Sequence, residues 1–471
     1  MASWKTLFLL CGPIAAAAAA ATSSLESRSF PAGNSSIDSW VSSQENISFG
    51  AMLRNINPAG TVKGFVAASL STAGPDYFYS WVRDSALVSR VVASKYNTTE
   101  AGNSTVSDIL QDYATFQINI QSESTVCNCL GEPKFNPDGS SFTGPWGRPQ
   151  NDGPAERAST MILIADSFLA QTKNSSYITN TLKPAVYKDL DYIVNTWSNT
   201  CFDLWEEVNG VHFYTLMVMR RGLLDGANFA TRNGDASKAS TYSSTASQIQ
   251  TKIDSFWSSS KNYIIVTQDH QNGVQKPTGL DISTLIAANV AGLDDGFYTP
   301  GSDKILATAV AIENSMASLY PINKNLPSYL GNAIGRYPED TYNGNGNSQG
   351  NPWFLATTAF AELYYRAIQE WQSSGVTVTS ISKDFFTKFD SGASTGKKYN
   401  PGSDEFNSLA QNIALAADRF LSTVHLHRDS NGSLSEEFDR NTGYMTGARD
   451  LTWSHAALIT AVQARSGIPS F

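Results

Sequence analysis

Apolar residues recur at helical spacing along most of this chain and at strand spacing almost nowhere. The stretch 155–173 is the clearest case. Ala158, Met161, Ile162, Ala165, Phe168 and Leu169 fall at i, i+3, i+4, i+7 intervals and make one apolar stripe on a helix. Comparable patterns lie near 83–95, 105–122, 182–197, 211–230, 235–257, 280–290, 303–319, 351–372, 404–423 and 449–464, each followed by polar or Gly/Pro-bearing residues. About a dozen helices are expected. The best strand candidate, residues 262–266, is too isolated to imply a large sheet. The fold class is therefore all-α. Neither a Pro/Ser/Thr linker nor a second composition class after residue 464 divides the chain, so a single catalytic domain over 36–471, with long functional loops, is the simpler expectation for 471 residues.

The N-terminus carries one basic residue, Lys5, and then an apolar run from Leu7 to Ala21 that ends in small residues. Residues 1–21 read as a secretory signal peptide rather than a membrane span, because Gly12 and Pro13 interrupt the run and alanine dominates it. The Ser-rich segment 22–35 reads as a propeptide or a disordered lead-in. Sequons begin at Asn34, Asn46, Asn97, Asn103, Asn174 and Asn431, which fits an extracellular, secreted product. Past the signal only Cys127, Cys129 and Cys201 remain, an odd number that allows at most one intrachain disulfide.

Charge is sparse at 16%, aromatic content is 11%, and the net charge is −9, which argues against nucleic acid or an anionic membrane as partner. Neutral substrates fit better. The cysteine spacing and the scattered histidines match no zinc pattern, so neither a metal nor another cofactor is expected. The chain is expected to act as a monomer.

The unusual sequences sit between the helices: Tyr77 to Asp84, Gly131 to Pro154, Asp203 to Gly210, Arg336 to Trp353 and Ser433 to Arg440. Loops rich in Trp, Arg and carboxylates on a helical scaffold are where binding is expected. The run Asp203-Leu204-Trp205-Glu206-Glu207-Val208-Asn209-Gly210 sets three carboxylates against an indole. An apolar wall beside like charges keeps a carboxyl neutral, as a sugar-cleaving acid must be. Glu206 is the candidate acid. The second carboxylate is best supplied by Ser433-Leu434-Ser435-Glu436-Glu437-Phe438-Asp439-Arg440, far from Glu206 in sequence. An inverting glycosidase separates its two carboxyls by roughly 6.5–9.5 Å to admit a water, which distant loops achieve more easily than neighbours. Asp203 is a rival base, but its short spacing from Glu206 tends to put both groups on one side. Arg83 and Asp84 offer a fork for sugar hydroxyls, Tyr77 an aromatic face near developing positive charge, and the Gly/Pro-rich segment 144–154 would hold Trp146 at a rim.

Taken together these segments resemble the fungal glucoamylases of glycoside hydrolase family 15. The resemblance runs from about Ile37 to Arg465 and rests on Tyr-Phe-Tyr-Ser-Trp-Val-Arg-Asp-Ser, Gly-Pro-Trp-Gly-Arg-Pro-Gln, Asp-Leu-Trp-Glu-Glu-Val-Asn-Gly, Arg-Tyr-Pro-Glu-Asp-Thr-Tyr and Ala-Arg-Asp-Leu-Thr-Trp-Ser in family order. It implies an (α/α)6 barrel with a pocket at one end, and exo-acting release of β-glucose from non-reducing ends of α-1,4-glucans such as soluble starch and malto-oligosaccharides, slower on α-1,6 links. By position it implies Glu206 as general acid and Glu436 as general base. Asp203 matches a carboxylate that supports the acid and has also been labelled the proton acceptor. Glu207 matches a leaving-side contact, and Trp146 the substrate-binding tryptophan. Arg83, Asp84 and Arg336 match contacts to the terminal glucose, and Tyr77, Trp205, Trp353 and Trp453 match pocket walls.

The chain departs from the family pattern at Cys201-Phe202, at Phe142 and in an Asn/Gly-rich loop between Tyr342 and Trp353. Gly447 stands where relatives can carry a serine that hydrogen-bonds the base, so a raised pKa is expected for Glu436. No starch-binding module of the family's kind is expected, and poor adsorption to raw granules is expected with it.

Overall fold

The computed structural model describes residues 35–469. The expected signal peptide and nearly all of the expected lead-in lie outside the described residues. Among the described residues twelve helices of nine residues or more follow one another: α1 (Ser35–Arg54), α2 (Val82–Asn97), α3 (Ser104–Ile120), α4 (Asp152–Gln171), α5 (Lys183–Thr196), α6 (Phe213–Arg232), α7 (Ala236–Asp254), α8 (Ser283–Ala291), α9 (Asp303–Ala317), α10 (Phe354–Ser374), α11 (Asp404–His427) and α12 (Thr452–Arg465).

Their packing alternates. The even-numbered helices close a ring, α2 on α4, α4 on α6, α6 on α8, α8 on α10, α10 on α12 and α12 back on α2. Each odd-numbered helix backs one member of that ring: α1 on α12, α3 on α2, α5 on α4, α7 on α6, α9 on α8 and α11 on α10. This is an (α/α)6 barrel. The inner helices explain why the ring closes, because α4 and α10 are buried along most of their length while the outer α3 and α11 bury one apolar stripe each. A buried ion pair between Arg157 of α4 and Asp189 of α5, 2.5 Å apart, joins an inner to an outer helix.

Because every inner helix is followed by an outer one that returns, all six inner helices run the same way and start at the same end of the barrel. The loops that precede them gather there. They carry short antiparallel ribbons: Ser80–Trp81 with Lys134–Phe135, Cys201–Phe202 with Val208–His212, and Glu437–Phe438 with Met445–Thr446. Val208–His212 pairs further with Thr267–Gly273, so the helix expected from residue 211 begins two residues later, at Phe213. The expected strand at 262–266 is reduced to Tyr263–Ile264, paired with Trp257–Ser258.

Cys127 and Cys129 form a disulfide, and Cys201 is a buried free thiol. The sequon asparagines among the described residues, Asn46, Asn97, Asn103, Asn174 and Asn431, are all exposed. Among the described residues no helix is long and apolar enough to cross a membrane.

Candidate active site

A cavity of about 390 Å³ opens where the inner helices begin. It is lined by Tyr77, Arg83, Asp84, Trp146, Trp205, Glu206, Glu207, Arg336, Trp353, Glu436 and Trp453, which is every candidate residue read from the sequence except Asp203. Segments as far apart as 77 and 453 are thus brought to one place. Asp84 lies in the first turn of α2, where unsatisfied N–H groups favour negative charge.

Glu206 stands on the turn between Cys201–Phe202 and Val208–His212, and its φ of 68° is in the left-handed region. Only a well-tied turn holds a non-glycine residue there. Asp203 supplies the tie. Its Oδ1 accepts the backbone N–H groups of Glu207 (2.8 Å) and Val208 (3.0 Å), while its Oδ2 accepts Lys276 Nζ at 3.0 Å. Lys276 also reaches Asp281 (2.8 Å), which accepts the indole N–H of Trp205. Burial alone would raise the Asp203 carboxyl, but Lys276, His212 and the two amides hold it below the usual carboxylate range. With both oxygens committed and no share in the cavity lining, Asp203 sits behind the site, not in it.

The Glu206 carboxylate receives the Trp81 indole N–H at 2.5 Å and the Gln150 amide at 3.1 Å, both on Oε1. The Tyr77 hydroxyl donates to Glu436 Oε1 at 2.8 Å and the Tyr342 hydroxyl to Oε2 at 3.2 Å. Glu436 is only 1% exposed. Burial pushes its carboxyl up to about 7, opposed by the Tyr77 hydrogen bond, the charge of Arg336 and the Tyr342 hydrogen bond. The expected upward shift thus has burial as its main cause, and the base position is not short of donors: two tyrosine hydroxyls serve it. Glu437, next in sequence, is turned onto Asn351, whose amide it accepts at 2.8 Å.

Two arginines frame the floor. Arg83 donates to Gln150 and Asp152, each at 3.1 Å, lies 3.3 Å from Asp84 and faces the Trp453 ring. Burial pushes Asp84 up to about 6 against the pull of Arg83. Arg336 grips Asp340 through Nε (2.8 Å) and Nη2 (2.7 Å) and reaches Glu207 Oε1 at 2.8 Å. Its guanidinium is ringed by Trp205, Tyr337, Tyr342 and Trp353 at 5.2–5.4 Å. Trp146, 39% exposed, stands at the rim, its ring 6.3 Å from that of Trp81.

The sequence reading missed Trp81, Gln150 and Tyr342 as groups that touch the carboxylates. Trp81 and Gln150 lie inside motifs already singled out. Tyr342 ends the Arg-Tyr-Pro-Glu-Asp-Thr-Tyr run, and its hydroxyl arrives at Glu436 only because the Asn/Gly-rich loop folds back. Among the described residues no group of His, Cys, Asp and Glu is arranged to hold a metal.

A family model described as "Glycosyl hydrolases family 15" matches residues 46–463. The chain belongs to glycosyl hydrolase family 15. This family 15 hydrolase is 71% identical over 446 residues to Glucoamylase 1 of Rhizopus oryzae, a match that spans 94% of this chain and 74% of the relative. It is 36% identical over 453 residues to the glucoamylase of Blastobotrys adeninivorans, spanning 91% and 72% respectively. Among solved structures, the family 15 glucoamylase from Hypocrea jecorina is similar with a TM-score of 0.85 at 37% identity, covering 92% of this chain and 73% of the other. The glucoamylase from Saccharomycopsis fibuligera gives 0.85 at 32% identity, covering 92% and 96%.

Proposed function

We propose that this family 15 hydrolase is a glucoamylase that removes glucose from the non-reducing ends of α-1,4-linked glucans with inversion of configuration. Soluble starch and malto-oligosaccharides are its substrates, and α-1,6 links are cut more slowly. The observation that carries this reading is that Glu206 and Glu436, from turns 230 residues apart, share one cavity walled by Trp205, Trp353 and Trp453 and floored by Arg83, Asp84 and Arg336.

Such a cavity suits the end of one chain. A hexose offers hydroxyls to Arg83, Asp84 and Arg336 and its apolar faces to the indoles. Glu206 in its protonated form gives its proton to the glycosidic oxygen as the bond to the anomeric carbon breaks. Glu436 as carboxylate takes a proton from water, whose oxygen forms the new bond from the opposite face, so the product is β-glucose. The Tyr77 and Tyr342 hydroxyls favour the ionised form of Glu436 that this step needs, against the burial that raises its pKa. Asp203 acts through the turn: it fixes the backbone on which Glu206 and Glu207 stand. Glu207, braced by Arg336, and Trp146 at the rim take the sugar on the leaving side.

The exposed sequon asparagines and the signal-like N-terminus support export of the enzyme from the cell.

The test follows the anomer of glucose released from maltoheptaose by the wild type, Glu206→Gln and Glu436→Gln. β-Glucose from the wild type and a fall in kcat of at least about 100-fold in each variant are expected. Release of the α-anomer, or full turnover by either variant, would sink the assignment.

A further inference from the structure

Lys134 is only 2% exposed, and its ammonium is enclosed by aromatic faces: Trp146 at 3.3 Å, Phe142 at 4.2 Å, Tyr79 at 4.4 Å and Trp81 at 4.5 Å from the ring centres. The ribbon puts it there, since Lys134 stands directly across from Trp81 in the pairing of Ser80–Trp81 with Lys134–Phe135. The far walls are set by Arg148, which pairs with Glu132 at 2.6 Å and donates to the carbonyls of Phe142 (2.6 Å) and Gly144 (2.9 Å), fixing the loop that carries Phe142 and Trp146.

A buried cation without a function is costly and is readily replaced by an apolar side chain. This one touches two indoles of the site. Trp81 donates its N–H to Glu206, and Trp146 forms the rim of the cavity. Burial pulls the Lys134 ammonium down to about 8, and of the charges that oppose this, Glu206 comes first, ahead of Asp76; Arg148 adds to the lowering and Glu132 opposes it. Glu206 in turn faces Arg83 and Asp84 from α2.

We propose that Lys134 is a positioning residue for the acid, holding Trp81 and Trp146 by their faces and supplying the positive charge that favours the Glu206 carboxylate once its proton has passed to the leaving oxygen. The proposal rests on the reading of Glu206 as the acid. A fixed cation beside the acid acts most strongly in the transition state, where the carboxyl gains negative charge as its proton leaves. Removing the charge therefore lowers kcat with little change in KM, and a cationic replacement restores the rate, a combination that loss of packing alone does not produce.

The experiment measures kcat and KM on maltoheptaose for Lys134→Met, Lys134→Gln and Lys134→Arg, with thermal melts to identify the folded variants. The neutral variants are expected to lose about 10- to 100-fold in kcat with KM near the wild-type value, and Lys134→Arg to keep most of the wild-type kcat. Should Lys134→Met not fold, the Gln and Arg pair decides. In the Glu206→Gln background, Lys134→Gln should cost little further rate, because the carboxylate it serves is gone. A wild-type kcat in the folded neutral variants, an equal loss in Lys134→Arg, or an undiminished penalty in the Glu206→Gln background overturns the proposal. Full turnover by Glu206→Gln alone instead overturns the reading of the acid and leaves the cage to be judged by the kcat of the Lys134 variants.

Discussion

Gly447 packs so closely on the carboxylate of Glu436 that a Cβ built on the glycine would stand 2.6 Å from Oε2. Its φ of 72° is in the left-handed region, and Gly344 approaches it from the Asn/Gly-rich loop, so that a Cβ on Gly344 would lie 2.7 Å from the Gly447 Cα. Two glycines thus let this loop lie against the base and deliver Tyr342 to it. The serine hydroxyl that the family resemblance places at 447 would have no room beside this carboxylate.

Gly447→Ser is accordingly expected to displace the Glu436 carboxylate instead of lowering its pKa. Gly447→Ala should do the same without any hydroxyl. Both variants should lose about 10- to 100-fold in kcat with KM nearer the wild-type value, because misplacing a reacting group by about 1 Å costs on that order. Steady-state kinetics on maltoheptaose check this, and a serine variant with full activity and an acid limb at lower pH would contradict it.

The hydroxyl of Tyr77 stabilises the charged form of Glu436, to which it donates at 2.8 Å. Removing the donor in Tyr77→Phe favours the protonated form, so the pKa rises from a value already pushed up to about 7 by burial. As the base must be ionised to act, the acid limb of kcat/KM should move upward by about one pH unit, the size expected for one hydrogen bond to a charged group. A limb that stays in place would show that Tyr342 alone sets the carboxylate's ionisation.

Asp203 and Lys276 are each nearly inaccessible to solvent and lie 3.0 Å apart. Asp203→Asn removes one partner of a buried pair and should cost about 3–5 kcal/mol in denaturant unfolding together with a large fall in kcat, because the turn beneath Glu206 loosens. The Asp203 carboxyl is held below its ordinary range, so its contribution to stability is complete above the unfolded-state pKa and is lost as pH falls through the lower folded value. The variant should show a flatter stability profile over that acidic window. Loss of rate with wild-type stability would instead point to Asp203 as a proton acceptor.

The helices with an apolar stripe were legible because burial of that stripe is what makes them helices. α1 was not, since Gln44 and Ser48 stand in its buried face and bond to each other, with Gln44 also reaching the Gly432 carbonyl. The Thr267–Gly273 strand carries no apolar alternation and is held by backbone pairing to Val208–His212, a long-range fact that no local pattern records. At the site, the carboxylates and arginines stood out as unusual residues for loops. Tyr342 and Lys134 did not, because their importance lies in what the folding-back of a loop and the register of a ribbon place against them.

Arg336 is the charge that links the two halves of the cavity, pairing with Asp340 and Glu207 while its field opposes the burial of Glu436. Arg336→Gln leaves the nearly inaccessible Asp340 carboxylate without its cation, and a loss of about 3–5 kcal/mol in unfolding free energy is expected. The same change removes a positive charge that favours the Glu436 carboxylate, so its pKa rises further and the acid limb moves upward. Arg336→Lys separates the effects. It keeps a charge near Glu436 but cannot reproduce the two-pronged grip on Asp340, so it should raise KM and lower stability while leaving the acid limb close to its original position. Measuring unfolding and pH profiles on both variants checks this; equal displacement of the limb in the two would mean that geometry, and not charge, connects Arg336 to Glu436.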